Sequence, residues 1–426
     1  MEMQPTPPVD PRRSVDALRR ALYAAWTPRP RLAVSEIAER HRVMTSDSSS
    51  TPGDYRVALT PYTAEIQDRL HPDDPVQVVV YEAAAQAGAK STIGENWVMA
   101  VAGGYYPARM PYALDTDTNA QDWSKDTLDT MIEASPLLRD RVRSSVSRTK
   151  NETILGKWFA GGRLRIVGAH SASALCRMAA KYCVLDECDR YKENPGYEGN
   201  AVSLVLARQT TYGPARKAYI GSTPTVEGNS EIHEWFLRGD QRYFHVPCPA
   251  CGEMQRLEWR DEASKEYRLV WSPGHPEEAH YVCAHCGDSW EETEKNTILP
   301  AGRWVASRPD VGAGLITSYN LNGLYGPLGW LSWPELAAEW EAANALAKTG
   351  NIEKLRSFVN IRLAEVFSAP GETIDAHVLA ERVEPDWGER IPAGVRVITG
   401  ATDVQDIRAS LVVTGPRARR TITHVQ

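Results

Sequence analysis

The sequence predicts an α/β fold in which a mostly parallel sheet is flanked by helices. Residues 76–82 and 181–185 are apolar runs of strand length with polar residues at both ends, which is the pattern of buried parallel strands. The first run continues through the small residues 83–89 into a helix that is predicted to begin near Ser91. Another strand is predicted over residues 217–221, so strands and helices follow one another along this part of the chain.

The remaining predicted elements surround this core. They are, in chain order, a helix over 122–141 that Pro136 interrupts, a hairpin of 153–159 with 163–168, helices over 333–348 and 352–364, and a strand over 396–400 that pairs with 410–414. Residues 1–30 are rich in Pro and Arg and are predicted to form a tethered arm.

Composition limits the class of protein. The chain has 426 residues, with 48 Lys and Arg against 55 Asp and Glu, and a net charge of −7. At roughly 100–200 residues per domain, this length allows about two to four domains. A hydrophobic fraction of 42% and a charged fraction of 24% are ordinary for a soluble protein, which excludes a disordered or collagenous class. The chain lacks an apolar run of the ~18 residues that a membrane span needs and lacks the apolar centre of a signal peptide, so the sequence predicts a cytosolic protein.

Four of the seven cysteines form two C-x-x-C-G pairs. They are Cys248, Cys251, Cys283 and Cys286. Each pair directs two thiolates at one point while the following glycine lets the backbone turn, and four thiolates suit a closed tetrahedral zinc site. A long cytosolic chain does not need disulfides, so the pairs predict structural Zn²⁺. The alternative is four reduced thiols in a fold that has lost its metal.

The segment between the first strand and its helix is a candidate phosphate loop. It contains Gln86, Gly88, Ala89, Lys90 and Ser91. The last two stand where the Lys-Ser/Thr of a G-x-x-x-x-G-K-[ST] loop would stand, but alanines replace both glycines of that motif. The alternative is a turn of small residues between a strand and a helix.

Two further segments fit a nucleotide-triphosphate site. The strand over 181–185 delivers Asp186 and Glu187 at its end, where one carboxylate could hold Mg²⁺ and the other could polarise the attacking water. A solvated strand end is the alternative. Ser222, Thr223 and Thr225 follow the next strand and fit a motif that senses the γ-phosphate, although by itself this segment is only a turn.

An ordered set of motifs resembles the large terminase subunit of tailed phages, of the type that includes the phage lambda enzyme. The matching runs are QAG at 86–88, LDECD at 185–189, ARQTTY at 207–212, GSTPTVEGNSEI at 221–232, VPCPACG at 246–252, YVCAHCG at 281–287, GRW at 302–304, FVNIRLAE at 358–365 and TGATDVQDIR at 399–408. The resemblance covers nearly the whole chain, from about residue 30 to residue 414. The resemblance implies an ATP-driven DNA-packaging motor joined to a nuclease.

The resemblance also implies roles for individual residues. Lys90 and Ser91 would contact the phosphates of ATP and Mg²⁺, Asp186 would be the Walker B acid, Glu187 would be the catalytic carboxylate, and residues 222–225 would be the coupling motif. In many relatives Lys or Thr follows the glycine directly. Here an alanine intervenes, so the register of the loop is open by about one residue. The implied partners are double-stranded DNA, a small terminase subunit, the portal of the prohead and further copies of the chain in a ring, in the cytoplasm of the host.

The C-terminal region resembles the start of an RNase H-like nuclease, with Asp403 as its first Mg²⁺-binding carboxylate. Cleavage with two metal ions needs several clustered carboxylates, and only Asp406 follows. We therefore expect a truncated nuclease without cleavage activity. The predicted domains are an N-terminal arm (1–45), a P-loop ATPase core (46–240), a zinc-knuckle insertion (241–300), a helical coupling segment (301–390) and the start of the nuclease (391–426).

Two other functions fit parts of this pattern. One is a zinc-containing DNA-binding or assembly protein without catalysis, descended from a terminase, and the other is a helicase-type ATPase, which shares the loop and the acid pair. Two single residues also have alternatives. Tyr62 could stack on adenine or belong to the core, and Arg208 could reach the phosphates or serve in an ion pair or a DNA contact.

Overall fold

The computed structural model describes residues 15–16, 18–19, 31–47, 49–142, 154–176, 178–191, 195, 199–261, 264–368, 399–405 and 408–414. Internal contacts divide the chain into one compact unit that ends at Ser368 and a second that begins at Ala369. Within the described residues, no helix is both long enough and apolar enough to cross a membrane.

The first unit combines strands and helices in alternation. Its strands are β1 (Val43–Met44), β2 (Gly53–Asp54), β3 (Val78–Ala83), β4 (Arg109–Leu114), β5 (Gly156–Phe159), β6 (Gly162–Gly168), β7 (Tyr182–Asp186), β8 (Lys217–Ser222), β9 (Arg242–Pro247), β10 (Met254–Arg256), β11 (Leu269–Ser272), β12 (His275–Val282), β13 (Ser289–Trp290), β14 (Arg303–Ala306) and β15 (Ile316–Leu321). Its helices are α1 (Val34–His41), α2 (Thr63–Asp68), α3 (Lys90–Ala102), α4 (Asp117–Asp122), α5 (Thr130–Ala134), α6 (Pro136–Arg139), α7 (Ala172–Leu175), α8 (Ala201–Ala207), α9 (Glu231–Arg238), α10 (Lys295–Ile298), α11 (Trp333–Ala347) and α12 (Glu353–Leu363).

A ten-stranded sheet forms the centre of this unit, in the order β10-β9-β15-β3-β8-β7-β4-β6-β5, with β14 paired to β9. The strands from β9 to β6 in this order are parallel, and β5, β10 and β14 are antiparallel additions. The predicted α/β fold with a mostly parallel sheet is therefore confirmed. Because the central strands all run the same way, their carboxyl ends meet at one edge, where α/β proteins bind ligands.

Both faces of the central sheet are covered. On one face, Tyr112, Tyr182 and Tyr219 pack in the same buried cluster as Trp97 of α3. On the other face, side chains such as Ile220 pack in a second cluster with residues of α8 and α9. Burial on both sides explains why β3, β7 and β8 are buried along nearly their whole length and mostly apolar, instead of alternating with exposed polar residues.

The predicted strands over 76–82, 181–185 and 217–221 are confirmed as β3, β7 and β8, with ends that differ by at most two residues. The predicted hairpin is confirmed as the antiparallel pair β5–β6, although β5 begins only at Gly156. The helices predicted over 333–348 and 352–364 are confirmed as α11 and α12. Ser332 and Glu335 form a capping box at the start of α11, which fixes where that helix begins.

Two predicted elements differ in detail. The helix predicted over 122–141 contains a π-helical segment, Trp123–Asp129, and it breaks at Ser135 because Pro136 cannot continue the hydrogen bonding. In the second unit, the C-terminal strand is β16 (Thr399–Gln405), which pairs antiparallel with β17 (Arg408–Thr414). The sequence predicts that this strand ends at Asp403, but β16 continues to Gln405, so Asp403 lies inside the strand, opposite Ser410. Residues 396–398 of the predicted strand fall outside the described residues.

The segment with the four cysteines is attached to the main sheet. The strands before and after it, β9 and β14, pair with each other at one end of that sheet. Between them, β11, β12 and β13 form a separate three-stranded antiparallel sheet. Tyr281 of β12 packs against Trp333 at the start of α11, which joins this small sheet to the core.

Candidate nucleotide site and metal centre

The carboxyl ends of β3, β7 and β8 bring the predicted phosphate loop, acid pair and coupling segment together. The loop over residues 84–89 leaves β3 and leads directly into α3, whose first residue is Lys90. Strand β8 lies between β3 and β7, so its end separates the loop from the acids of β7. This arrangement places backbone N–H groups at a helix start beside carboxylates, which suits a phosphate group with a bound cation.

The loop has a constrained backbone. Gln86 and Ala89 have positive φ angles, 61° and 51°, which place both residues in the left-handed region. At Gly88 an added Cβ atom would lie 2.6 Å from the Cβ of Ala83, so only glycine fits there. The alanine that replaces a motif glycine thus adopts the conformation glycine favours. Ala89 is the last residue of the loop, and Lys90 is the first residue of α3.

Lys90 is nearly buried and lies inside the loop. Its Nζ donates hydrogen bonds to the carbonyl oxygens of Ala83, at 3.2 Å, and Ala84, at 3.4 Å, and to Thr223 Oγ1, at 2.8 Å. It also lies 3.8 Å from Glu187 Oε1. Burial lowers the pKa of Lys90, and the nearby carboxylates oppose that effect. The ammonium group therefore connects the loop, the acid pair and the coupling segment.

Asp186 is buried, with 2% of its surface exposed. Its Oδ2 accepts a hydrogen bond from Tyr112 at 2.8 Å, while its Oδ1 is buried without a hydrogen-bond partner among the described residues. Burial and the charge of Glu187 raise the pKa of Asp186 to about 6, against the effects of Tyr112, Ser91 and Lys90. A buried carboxylate oxygen that lacks a partner fits a divalent cation, which would supply the missing interaction.

Glu187 follows in a left-handed conformation, with a φ angle of 56°. Its backbone N–H donates to the carbonyl of Gly221 at 2.8 Å, which fastens the turn to the end of β8. Its side chain is partly exposed and lies 3.8 Å from Lys90 Nζ and 3.7 Å from Arg190 Nε. The left-handed turn therefore leaves this carboxylate partly exposed, beside Lys90 and Arg190.

The coupling segment contacts the loop through Thr223. Its hydroxyl accepts from Lys90 and donates to the carbonyl of Ala83, at 3.1 Å. The hydroxyl of Ser222 accepts from the backbone N–H of Asp189 at 3.3 Å. Thr225 donates to Asp189 Oδ2 at 2.8 Å. The three predicted coupling residues therefore lie between the loop and the turn that follows the acid pair.

Asp189 has a role that the sequence analysis did not assign. Besides Thr225, its carboxylate accepts hydrogen bonds from Ser230 Oγ and from the backbone N–H of Ile232, each at 2.6 Å. These contacts join the turn after β7 to the start of α9. The LDECD run contained this residue, but nothing in its spacing distinguished it from a solvated acid.

The sequence did not predict a role for Asn360 either. Its Nδ2 donates to the carbonyl of Thr225 and to that of Glu365, the latter at 2.9 Å. The same carbonyl of Thr225 accepts from the N–H of Phe367 at 3.0 Å, and the N–H of Ala85 donates to the carbonyl of Ile361 at 2.9 Å. The end of α12 and the residues after it therefore contact both the phosphate loop and the coupling segment.

The four motif cysteines form a single cluster. All four sulfur atoms lie within 4.8 Å of one another, and two pairs, Cys248–Cys286 and Cys251–Cys283, are 3.9 Å apart. Four thiolates around a tetrahedral ion at ~2.3 Å would have sulfur–sulfur separations of about 3.8 Å. The geometry therefore fits a single four-coordinate metal ion.

The backbone around each cysteine pair follows the same pattern. Gly252 and Gly287 both have positive φ angles, 74° and 75°, as their positions after each pair predict. Cys283 Sγ accepts from Gln255 Nε2 and from the N–H of His285, both at 3.3 Å. Donors aimed at sulfur stabilise a thiolate, so these contacts favour a bound cation at this point.

The positions of Tyr62 and Arg208 in the structure decide between the alternatives that the sequence leaves open for each residue. Tyr62 is fully buried and donates its hydroxyl hydrogen to the carbonyl of Ala87, so it belongs to the core beneath the loop. Arg208 lies just after α8, and its carbonyl accepts from the N–H of Ala180, two residues before β7. That is the opposite end of the strand from Asp186, so Arg208 does not face the phosphates of its own chain.

The raised pKa of Asp186 gives a test of its environment. A carboxyl that ionises near pH 6 in the folded chain, but near its ordinary value of 3.8 when unfolded, costs stability as the pH rises through this range. The difference corresponds to at most about 3 kcal/mol above pH 6. We expect Asp186→Asn to raise the free energy of unfolding at pH 7.5, measured with urea, by about 1–3 kcal/mol. The gain should vanish at pH 4, and a gain that is equal at both pH values would contradict it.

Comparison with known families gives two matches along the chain. The profile described as phage terminase large subunit gpA, ATPase domain, matches residues 49–304. The profile described as terminase large subunit gpA, endonuclease domain, matches residues 316–419. The second match therefore begins at β15, inside the sheet of the first compact unit.

Individual relatives agree with these profiles. The chain is 25% identical over 424 residues to the large terminase subunit of Enterobacteria phage P21 and 25% identical over 421 residues to that of Escherichia phage lambda. The alignments cover 94% and 93% of this chain, and the chain spans 62% of the length of each of these curated relatives.

Similar solved structures include the large terminase ATPase domain of Thermus phage P74-26, at 15% identity and a TM-score of 0.36, covering 71% of this chain and 93% of that one. They also include the large terminase of another thermophilic bacteriophage, at 11% identity and a TM-score of 0.34, covering 85% of this chain and 64% of that one.

Proposed function

The chain belongs to the phage terminase large subunit gpA family, and we propose that it is an ATP-hydrolysing motor that translocates phage DNA into a prohead. The observation that carries the ATPase part is the position of Lys90 Nζ, which lies 2.8 Å from Thr223 Oγ1 and 3.8 Å from Glu187 Oε1. A lysine held between a helix start, a carboxylate and a hydroxyl is the arrangement that P-loop enzymes use around a triphosphate.

Each residue of the site has a proposed task. The N–H groups at the start of α3 and the ammonium of Lys90 bind the phosphates of ATP, with Gln86, Gly88, Ala89 and Ser91 completing the loop. Asp186 would hold Mg²⁺, whose charge would offset that of the phosphates. Glu187 orients the attacking water and accepts its proton.

Hydrolysis can be sensed through contacts already present at Thr223. When a triphosphate occupies the loop, Lys90 exchanges its bonds to the loop carbonyls and to Thr223 for bonds to phosphate oxygens. Thr223 is then released from Lys90. Its neighbour Thr225 is tied to Asp189 and Asn360, so a movement of this segment reaches α9 and the end of α12.

The metal of the four-cysteine cluster is proposed to be Zn²⁺. Thiolate ligands in a closed tetrahedral arrangement favour zinc and leave no position for a reacting water. We therefore assign the cluster a structural role, in which it stiffens the segment between β9 and β14. For the nuclease portion, Asp403 in β16 is the proposed Mg²⁺-binding carboxylate, and cleavage by this chain is not part of the proposal.

The partners follow from family membership. We propose double-stranded DNA, a small terminase subunit, the portal of the prohead and a homo-oligomeric ring as partners, in the cytoplasm of the host cell. In a ring, a neighbouring copy could supply an arginine to the phosphates, since Arg208 of the same chain faces away from them.

Replacing Lys90 tests the ATPase proposal. We expect Lys90→Ala to abolish the stabilisation of the chain by Mg²⁺-ATP in a thermal-shift assay and to lower ATP turnover at least about 100-fold, because charged contacts to the transferred phosphoryl group are lost. The exposed Lys354 is a matched control, and Lys354→Ala should leave both quantities unchanged. Stabilisation by ATP that survives in Lys90→Ala would reject the assignment. Bound metal and DNA binding without ATP turnover in the unmodified chain would favour the non-catalytic alternative.

A further inference from the structure

A row of cationic residues crosses the main sheet at the amino ends of its strands. Arg163 of β6 pairs in register with Arg109 of β4. The N–H of Lys181, directly before β7, donates to the carbonyl of Arg109 at 3.2 Å. Arg216 comes directly before β8, and the β7–β8 register continues the row from Lys181 to it. Four neighbouring strands therefore each have a cationic residue at or directly before their first residues, and these four residues lie on one line across the sheet.

The row ends at an exposed aromatic residue. Trp158 of β5 is the register partner of Arg163 and has 39% of its surface exposed. The guanidinium of Arg163 lies over the ring of Trp158, 4.4 Å from its centroid. Residues directly opposite one another on paired strands project to the same face of a sheet, so the row forms one strip of surface.

Contacts within the fold explain only part of this strip. Arg216 Nε donates to Gln77 Oε1 at 2.8 Å, and Lys181 Nζ lies 5.0 Å from the centroid of the Tyr182 ring. Like charges that lie opposite one another on paired strands destabilise a sheet. Within the described residues, the four cations of the row have no carboxylate within ion-pair distance; they are Arg109, Arg163, Lys181 and Arg216. The Nε atoms of Arg163 and of the adjacent Arg208 are buried without hydrogen-bond partners in the same part of the structure. The chain therefore concentrates positive charge where it costs stability.

We propose that this row binds the phosphate backbone of duplex DNA. The inference rests on the proposed function for its choice of DNA as the polyanion. Neighbouring strands are ~4.8 Å apart, so the row spreads its charges over about 15 Å. A duplex carries one negative charge per ~1.7 Å of its axis, so several phosphates lie within that length. The strands separate the row from the nucleotide edge by roughly 15–20 Å, which leaves both sites accessible at once.

A salt titration tests the row. We expect Arg109→Gln/Arg163→Gln to weaken binding of a short labelled duplex about tenfold at moderate salt and to lower the slope of log K against log salt by about 2, since two phosphate contacts are lost. The matched control is Arg238→Gln/Arg308→Gln, which removes the same charge from exposed arginines that each lie beside an acid. The control should keep the slope of the unmodified chain.

Further variants separate charge from structure. Arg109→Lys/Arg163→Lys keeps the charges and should restore the slope, because phosphate contacts depend on charge more than on shape. Arg109→Glu alters one exposed side chain and should weaken DNA binding even if the double variant fails to fold. The proposal would be overturned by an unchanged salt slope in the glutamine double variant. An equal loss of DNA binding in the control variant would overturn it as well, and so would a loss of self-association while DNA binding stays intact.

The row and the proposed function can fail separately. DNA binding is measured without nucleotide, and ATP turnover of the glutamine double variant is measured without DNA and should equal that of the unmodified chain. DNA binding through the row by a chain that hydrolyses no ATP would support the row and refute the ATPase proposal. ATP turnover by a chain whose DNA binding does not depend on the row would support the ATPase proposal and refute the row.

Discussion

Glu187→Gln is expected to bind Mg²⁺-ATP as tightly as the unmodified chain and to hydrolyse it about 10²–10⁴ times more slowly. The amide has nearly the size of the carboxylate but cannot accept a proton from water. The left-handed turn and the bond from the N–H of residue 187 to the carbonyl of Gly221 involve only the backbone, so the variant should keep its geometry. Loss of the Lys90 ion pair, at 3.8 Å, should cost little because the glutamate is partly exposed.

The measurement is single-turnover hydrolysis together with a nucleotide-binding titration on the same preparation. Glu234→Gln is the control, since this glutamate lies on the exposed side of α9 beside Arg238 and far from the loop in sequence. Turnover by Glu187→Gln within a few-fold of the unmodified chain would remove Glu187 from its proposed role. Weaker binding together with slower turnover would indicate instead that the carboxylate supports the loop through Lys90.

The sequence predicted those parts of the site that depend on a local pattern of residues. Strand β7 and its terminal acids follow from the four consecutive buried residues, 182–185, that precede the two carboxylates. The turns at Gly252 and Gly287 follow from glycine's freedom at positive φ. Each of these features is encoded within a few residues, so a single sequence is enough to find them.

The parts that sequence could not supply depend on how distant strands align. Tyr112 holds Asp186 from a strand 74 positions earlier in the chain, and Asn360 meets Thr225 across 135 positions. The cationic row becomes visible only when the registers of β4, β6, β7 and β8 are known. The register between strands that are far apart in the sequence is decided by packing of the whole sheet, and no local sequence pattern predicts it.

The end of the strand that contains Asp403 differs for a related reason. The apolar run before this residue predicts a strand that ends by residue 403, but pairing with β17 carries the strand through Gln405. A hairpin partner can extend a strand into polar residues because the ladder satisfies their backbone groups. The end of an apolar run is therefore a weaker guide to a strand end in a hairpin than in a buried parallel sheet.

Cys283→Ser is expected to remove the metal and to unfold the small sheet around it. Cys283 has 1% of its surface exposed, and its sulfur accepts bonds from Gln255 and from the N–H of His285. In small zinc domains the free energy of metal binding is ~10–16 kcal/mol and acts as folding free energy. Here Tyr281, which packs on Trp333, retains part of the contact with the core, so we expect a smaller loss, of about 3–5 kcal/mol.

Metal content by elemental analysis should therefore fall from about one ion per chain to near zero, as expected for a site of four thiolates. The segment between β9 and β14 should become sensitive to a protease while ATP still stabilises the rest of the unit, because the proposed nucleotide site lies at the ends of β3, β7 and β8. Cys176→Ser is the matched control, since Cys176 lies outside the cluster and its loss should leave metal content unchanged. Full metal content in Cys283→Ser would show that the ion is held elsewhere, and a resistant segment without metal would show that packing against α11 alone maintains it.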